Sequence, residues 1–204
     1  IYKGTLKFKD ADGYYHWALD QNGLLDDTLV TSSCSLELSR RAYNKICKLI
    51  QDEGFIDHNE IISENKLNSK KFDRGGIDRS RFSMDSYYPI LCESGTKDDA
   101  IKTLNKFYVS GLGIKCVEEE PWVTFAESSE CVMALHKIGL KKEAKKIFDE
   151  VMKHRNSKGY FSTGYQFELG VYWPEEDSTW TNAAVIMAAD CIHDITGKEK
   201  VILI

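Results

Sequence analysis

One unit recurs four times along this chain, and it limits the folds available more than any other feature: a Gly- and aromatic-rich acidic stretch followed by Ser, Thr or Ala opening a small-residue helix. The first two copies run from Asp12-Gly-Tyr-Tyr-His-Trp17 into Thr31-Ser-Ser-Cys34, and from Asp73-Arg-Gly-Gly76 into Ser83-Met-Asp-Ser-Tyr-Tyr88. The third runs from Gly113 through Pro121-Trp122 into Ala126-Glu-Ser-Ser129, and the fourth from Gly159-Tyr-Phe161 through Tyr172-Trp-Pro-Glu175 into Thr179-Trp-Thr-Asn-Ala183. All 4 tryptophans lie in these stretches. Helix starts fall roughly 40 to 55 residues apart, the spacing of two-helix repeats. A unit of that size cannot bury its apolar face alone, so neighbours must stack. Stacking would bring equivalent acidic, aromatic loops to one end of the assembly.

The helices divide into two kinds. Lys141 to Arg155 reads as an outer helix, with Ala144, Ile147, Phe148, Val151 and Met152 on one stripe and charge elsewhere. Gly139 stops the helix before it. Thr96-Lys-Asp-Asp99 reads as a capping box opening a second outer helix, with Ala100, Leu104, Phe107 and Tyr108 inward. By contrast, Thr181 to Ile192 and Phe125 to Leu135 are apolar almost all round and read as inner helices. Two segments signal β-hairpins between helices: Gly159 to Tyr172, rich in aromatics, and the Asn22-Gly23 turn within Asp20 to Leu25. Residues 52 to 72 are polar, with only Ile56 to Ile62 as an apolar pattern. The expected class is all-α, a single domain over residues 1–204. A chain that begins with Ile1 and opens on a repeat-type segment reads as a piece of a longer protein.

Charge and composition exclude some roles. A net charge of -5 leaves no electrostatic footprint for nucleic acid, and Lys141, Lys142, Lys145 and Lys146 form the wet face of a helix. No apolar run is long enough to cross a bilayer. The 6 cysteines form no CxxC pair and fall mostly in apolar helical patterns, which points to reduced thiols and a cytoplasmic location. The 5 histidines are scattered, so no spacing supports a metal site, and no motif indicates a cofactor. GxSxG, P-loop, GxGxxG and HExxH motifs are absent from the sequence.

Carboxylates at the helix entrances are the candidate catalytic groups: Asp85, Glu127 and Glu175. Converging carboxylates suit acid–base cleavage of a glycosidic bond or, beside aromatic faces, stabilisation of a carbocation. An acid ahead of a helix also serves as a cap or a partner for the helix dipole, the reading that suits Asp27 and Asp177 best. Asp85 has more equipment around it than a cap needs, with Arg81, Tyr87 and Tyr88 in the same segment. Those three, with Trp122, Tyr165, Trp173 and Trp180, are the candidate substrate-binding residues; the tryptophans read equally as packing.

Ser80-Arg-Phe-Ser-Met-Asp-Ser-Tyr-Tyr-Pro89, Gly111 to Val117, Pro121 to Thr124 with Ala126-Glu127, and Tyr172-Trp-Pro-Glu175 with Thr179-Trp-Thr181 resemble a bacterial prenyltransferase or squalene-cyclase-like family within the terpenoid cyclase and protein prenyltransferase superfamily. The resemblance runs from about residue 12 to 196, the C-terminal part of such proteins. It implies an α/α toroid, a partial ring of inner and outer helical hairpins, and a small or polyprenyl-type substrate in its central cavity. The Asp-x-Asp-Asp motif of the cyclases and the zinc-binding trio of the prenyltransferases have no counterpart here. Similar toroids act on polysaccharides, so a carbohydrate-active enzyme and a non-catalytic scaffold remain as alternatives.

Overall fold

A computed structural model of the chain describes residues 2–11, 14–25, 27–51, 72 and 76–197. Asp12, Gly13, Asp26, residues 73–75 and the Ile56 to Ile62 pattern lie outside the described residues. Contacts divide the chain into two units, one of residues 1–79 with 200–204 and one of residues 80–199.

The first unit contains a short helix α1 (Tyr2–Thr5), a hairpin of β1 (Leu19–Asp20) and β2 (Gly23–Leu24), and the long helix α2 (Val30–Leu49). The hairpin pairs Leu19 with Leu24 and Asp20 with Gly23, so its two-residue turn is Gln21-Asn22, one position ahead of the expected Asn22-Gly23, and Gly23 opens β2. Thr31, Ser33 and Cys34 of α2 are buried, and further along Glu37 takes Arg40 and Arg41 as ion-pair partners. A buried carboxylate needs that compensation.

In the second unit the chain order is α3 (Ser83–Leu91), α4 (Lys97–Phe107), β3 (Tyr108–Val109), β4 (Gly113–Lys115) and β5 (Trp122–Thr124). Then follow α5 (Phe125–Lys137), α6 (Lys141–Met152), β6 (Gly164–Gln166), β7 (Val171–Tyr172) and α7 (Thr179–His193). Helix α5 lies at the centre, in contact with α3, α6 and α7. Its Phe125, Ala126, Ser128, Ser129, Val132 and Ala134 are all at most 1% exposed, so the small residues admit close neighbours. The amphipathic stripe expected of α6 is present, with Ala144, Ile147, Phe148 and Val151 buried, but the helix ends at Met152 rather than Arg155, and Tyr108 opens β3 instead of extending α4. The Thr96–Asp99 capping box opens α4 with both reciprocal bonds formed. Gly139 ends α5 at φ 87°, a left-handed position that suits glycine.

Two expectations need correcting. The class is not an all-α toroid but a mixed α/β arrangement, because β3 to β7 form one five-stranded antiparallel sheet in sequence order. The Gly159–Tyr172 hairpin forms as β6 and β7 but is not isolated, because β5 pairs with it: Val123 lies opposite Tyr165 and Thr124 opposite Gly164. The reason is the backbone. A loop packed beneath helices must satisfy its N–H and C=O groups, and a ladder of aromatic and β-branched residues does so. Helix α7 is also less enclosed than its composition suggests. Thr181, Ala184, Val185, Ala188 and Cys191 are buried, but Ile186 is 69% exposed.

Candidate functional site

The helix entrances are built alike. Phe82, just ahead of α3, bridges Val117, and the Ser83 amide donates to the Cys116 carbonyl at 3.0 Å. Thr124, just ahead of α5, pairs with Gly164, and the Phe125 amide donates to the Thr163 carbonyl at 3.1 Å. Each helix therefore starts by hooking its first amide onto the next loop. Asp85 and Glu127 occupy the same place, the third residue of α3 and of α5. Neither the N-cap residue Phe82 nor Thr124 makes a side-chain capping bond. At α7 the cap is Ser178, whose Oγ accepts from the Thr181 amide at 3.3 Å, so Asp177 is not the cap.

Glu127 is 5% exposed, and burial is the main force on its carboxyl, pushing it up to about 7. A hydrogen bond from the Cys116 thiol acts against that shift, and the charge of Glu130 adds to it. An acid in the first turn of a helix is ordinarily favoured as an anion by the dipole. Here desolvation wins.

Glu130 was missed by the sequence reading and is the best-anchored group of the cluster. Tyr87 Oη donates to its Oε2 at 2.6 Å and Tyr88 Oη to its Oε1 at 3.0 Å, so each carboxylate oxygen has its own hydroxyl. Burial raises the Glu130 carboxyl, and the two tyrosine bonds pull the other way. Tyr87 is fully buried, and its hydroxyl is held well above the ordinary tyrosine range by burial, then by the charges of Glu130 and Glu127. The cluster is thus Glu127, Glu130, Tyr87, Tyr88 and Cys116, drawn from α5, α3 and the loop after β4. A signal for Glu130 existed: it stands three residues after Glu127 on a helix otherwise nearly free of charge, and residues at that spacing share a face.

The other predicted residues are distributed as follows. Asp85 is half-buried in the first turn of α3, two residues before Tyr87. Arg81 pairs with Glu119 in a partly exposed ion pair. Glu175 is exposed on the loop ahead of α7, and Trp180 at the start of that helix is 54% exposed. Tyr165 packs against Tyr172 at 5.1 Å and His154 at 5.5 Å between ring centres. Trp122 and Trp173 meet edge to face at 5.2 Å, and the Trp122 indole N–H donates to the Trp173 carbonyl at 2.9 Å. The structure therefore unites Tyr87 and Tyr88 with Glu127, and separately pairs Trp122 with Trp173.

Gly164 makes that second pairing possible. A Cβ there would lie 2.5 Å from the Val123 carbonyl oxygen and 2.6 Å from the Trp122 indole nitrogen. Gly164→Ala is expected to cost about 1–3 kcal/mol, because a ladder carbonyl cannot retreat as a flexible side chain would. Urea unfolding followed by tryptophan fluorescence would measure both the cost and the displaced indole.

Among the described residues no group of three or more His, Cys, Asp or Glu is placed to hold a metal ion. No described helix is long and apolar enough to cross a membrane. The 6 cysteines form no disulfide.

Comparison with known proteins then changes the functional picture. No family model matches the chain. Over 191 residues, 90% of this chain, it is 32% identical to the MMP endo-(1,4)-3-O-methyl-alpha-D-mannosidase of Mycolicibacterium hassiacum. The chain spans about half of that relative's length, 52%. The match overturns the prenyltransferase or terpenoid-cyclase resemblance and the polyprenyl-type substrate that went with it, since the relative is named as a mannosidase. Motifs such as Tyr172-Trp-Pro-Glu175 describe how an aromatic loop enters a helix, and that construction carries no information on the reaction.

Proposed function

We propose that this chain is part of a glycoside hydrolase acting on an α-mannosidic linkage within a chain of 3-O-methylated mannose units. The relative's name gives the substrate class, and the observation that carries the chemistry is the state of Glu127. A general acid must hold a proton near neutral pH and lose it to the departing oxygen. Burial keeps the Glu127 carboxyl in that range, the device by which glycosidases separate the roles of two carboxylates.

In this reading Glu127 gives its proton to the glycosidic oxygen as the bond to the anomeric carbon breaks. A second carboxylate then activates water or attacks that carbon. We assign this second role to Asp85, which holds the matching position on α3. Glu130 is less suited, since both its oxygens already accept tyrosine hydroxyls. Its fixed negative charge instead favours the protonated form of Glu127. Glu175, exposed on its loop, has no part in the proposal.

The test is incubation of the protein with an α-(1→4)-linked 3-O-methylmannose oligosaccharide, with products sized by mass spectrometry. Shorter oligosaccharides from internal cleavage are expected, with activity falling as pH rises through about 7. An oligosaccharide recovered intact across pH 5 to 8 would overturn the proposal.

A further inference from the structure

We infer that the tryptophan pair over Gly164 is a sugar-stacking subsite that favours pyranose rings carrying an O-methyl group; this rests on the glycosidase reading above. Cross-strand partners share a sheet face, so Trp122 with Gln166 and Thr124 with Gly164 lie on one side of the sheet. Trp173 joins that side opposite Gly164, its amide donating to the Gly164 carbonyl at 3.0 Å. With no side chain at Gly164, the Trp122 indole lies against bare backbone.

Its N–H is satisfied by the Trp173 carbonyl, so its polar edge is already engaged. Trp173 packs edge to face on it at an interplanar angle of 69° and yet remains 57% exposed. A tryptophan serving only to pack a loop would be covered; this one is held by its neighbour and open to solvent. Val171, on the same face through its pairing with Gln166, is 45% exposed and extends the apolar surface. The nearby Glu176 is engaged by the Thr163 hydroxyl, which donates to it at 2.8 Å.

The surface is therefore a fixed aromatic face, which suits a neutral ligand with a C–H-rich side. O-Methylation of a sugar removes a hydroxyl donor and adds a methyl group. Both changes favour an aromatic floor over water, by about fourfold in affinity for each methyl group fully covered. The strand that carries Trp122 runs directly into α5, whose third residue is Glu127.

The experiment measures binding by tryptophan fluorescence and by calorimetry, using an α-(1→4)-linked 3-O-methylmannose tetrasaccharide and its unmethylated counterpart. The intact protein and its Trp173→Ala and Trp173→Phe variants are compared, with circular dichroism to verify folding. The intact protein should bind the methylated ligand several-fold more tightly. Trp173→Ala should weaken that binding about tenfold and bring the two ligands level, while Trp173→Phe should keep most of the preference. Unchanged affinity or undiminished preference in a folded Trp173→Ala variant would overturn the subsite. If the intact protein still cleaved the oligosaccharide, the glycosidase reading would survive that failure. Binding of neither ligand, with no cleavage, would overturn both.

Discussion

Glu127→Gln is expected to lower hydrolysis about 10³-fold, the scale of a general acid's contribution, while making the protein more stable at pH 8. The second half follows from proton linkage. The folded carboxyl is raised from 4.5 to about 7, so between those values the folded state binds more protons than the unfolded chain. Stability therefore falls as pH rises through that window, and the loss is complete above pH 7. The penalty is roughly 3 kcal/mol, undiminished by solvent because the side chain is buried. Glutamine cannot ionise, yet its carbonyl oxygen can still accept from the Cys116 thiol. The variant and the original should thus match in stability near pH 4 and diverge toward pH 8. Paired urea titrations at the two pH values measure the difference, and a variant less stable at pH 8 would count against a protonated Glu127. An active site that stores instability in its acid is a familiar trade between stability and function.

Replacing both Tyr87 and Tyr88 by phenylalanine should have an effect of the opposite sign. The two hydroxyls each donate to one oxygen of the half-buried Glu130 carboxylate. Removing both leaves a half-buried carboxylate without either hydroxyl, at a cost of about 1–3 kcal/mol for each bond lost. The cost should be greatest at high pH and shrink as pH falls through the raised range, above the ordinary 4.5, in which the folded Glu130 carboxyl takes up its proton. Tyr87→Phe alone should cost about 1–3 kcal/mol, since Tyr88 still holds one oxygen. Thermal unfolding at pH 4 and pH 8 separates this from simple loss of packing, which would be independent of pH.

The sequence made the helix entrances legible. Small residues after acidic aromatic loops mark where α3, α5 and α7 begin, and the place of Asp85 and Glu127 in the first turn follows from that pattern. The amphipathic stripe of Lys141 to Met152 and the Thr96–Asp99 box were readable because both depend on neighbours three and four residues apart. What escaped depends on distant partners. Nothing local in Trp122-Val-Thr124 announces that it pairs with Gly164-Tyr-Gln166, about forty residues later, so only the Gly159–Tyr172 hairpin was expected where a five-stranded sheet forms. Glu130 escaped because its role is defined by Tyr87 and Tyr88 on another helix. Glu127 was noticed as an acid, but its proton depends on burial, which emerges only when α3, α5 and the β4 segment pack together. The motif resemblance failed for a related reason: it captured construction rather than chemistry.

The central claim is that one buried carboxyl, on Glu127, stays protonated at neutral pH. Carbon-13 NMR of glutamate-labelled protein tests it directly. One side-chain carboxyl resonance should titrate at about 7, and it should be the resonance missing from Glu127→Gln. If the Glu127 resonance instead titrated near the ordinary value of 4.5, this account of the site would be wrong.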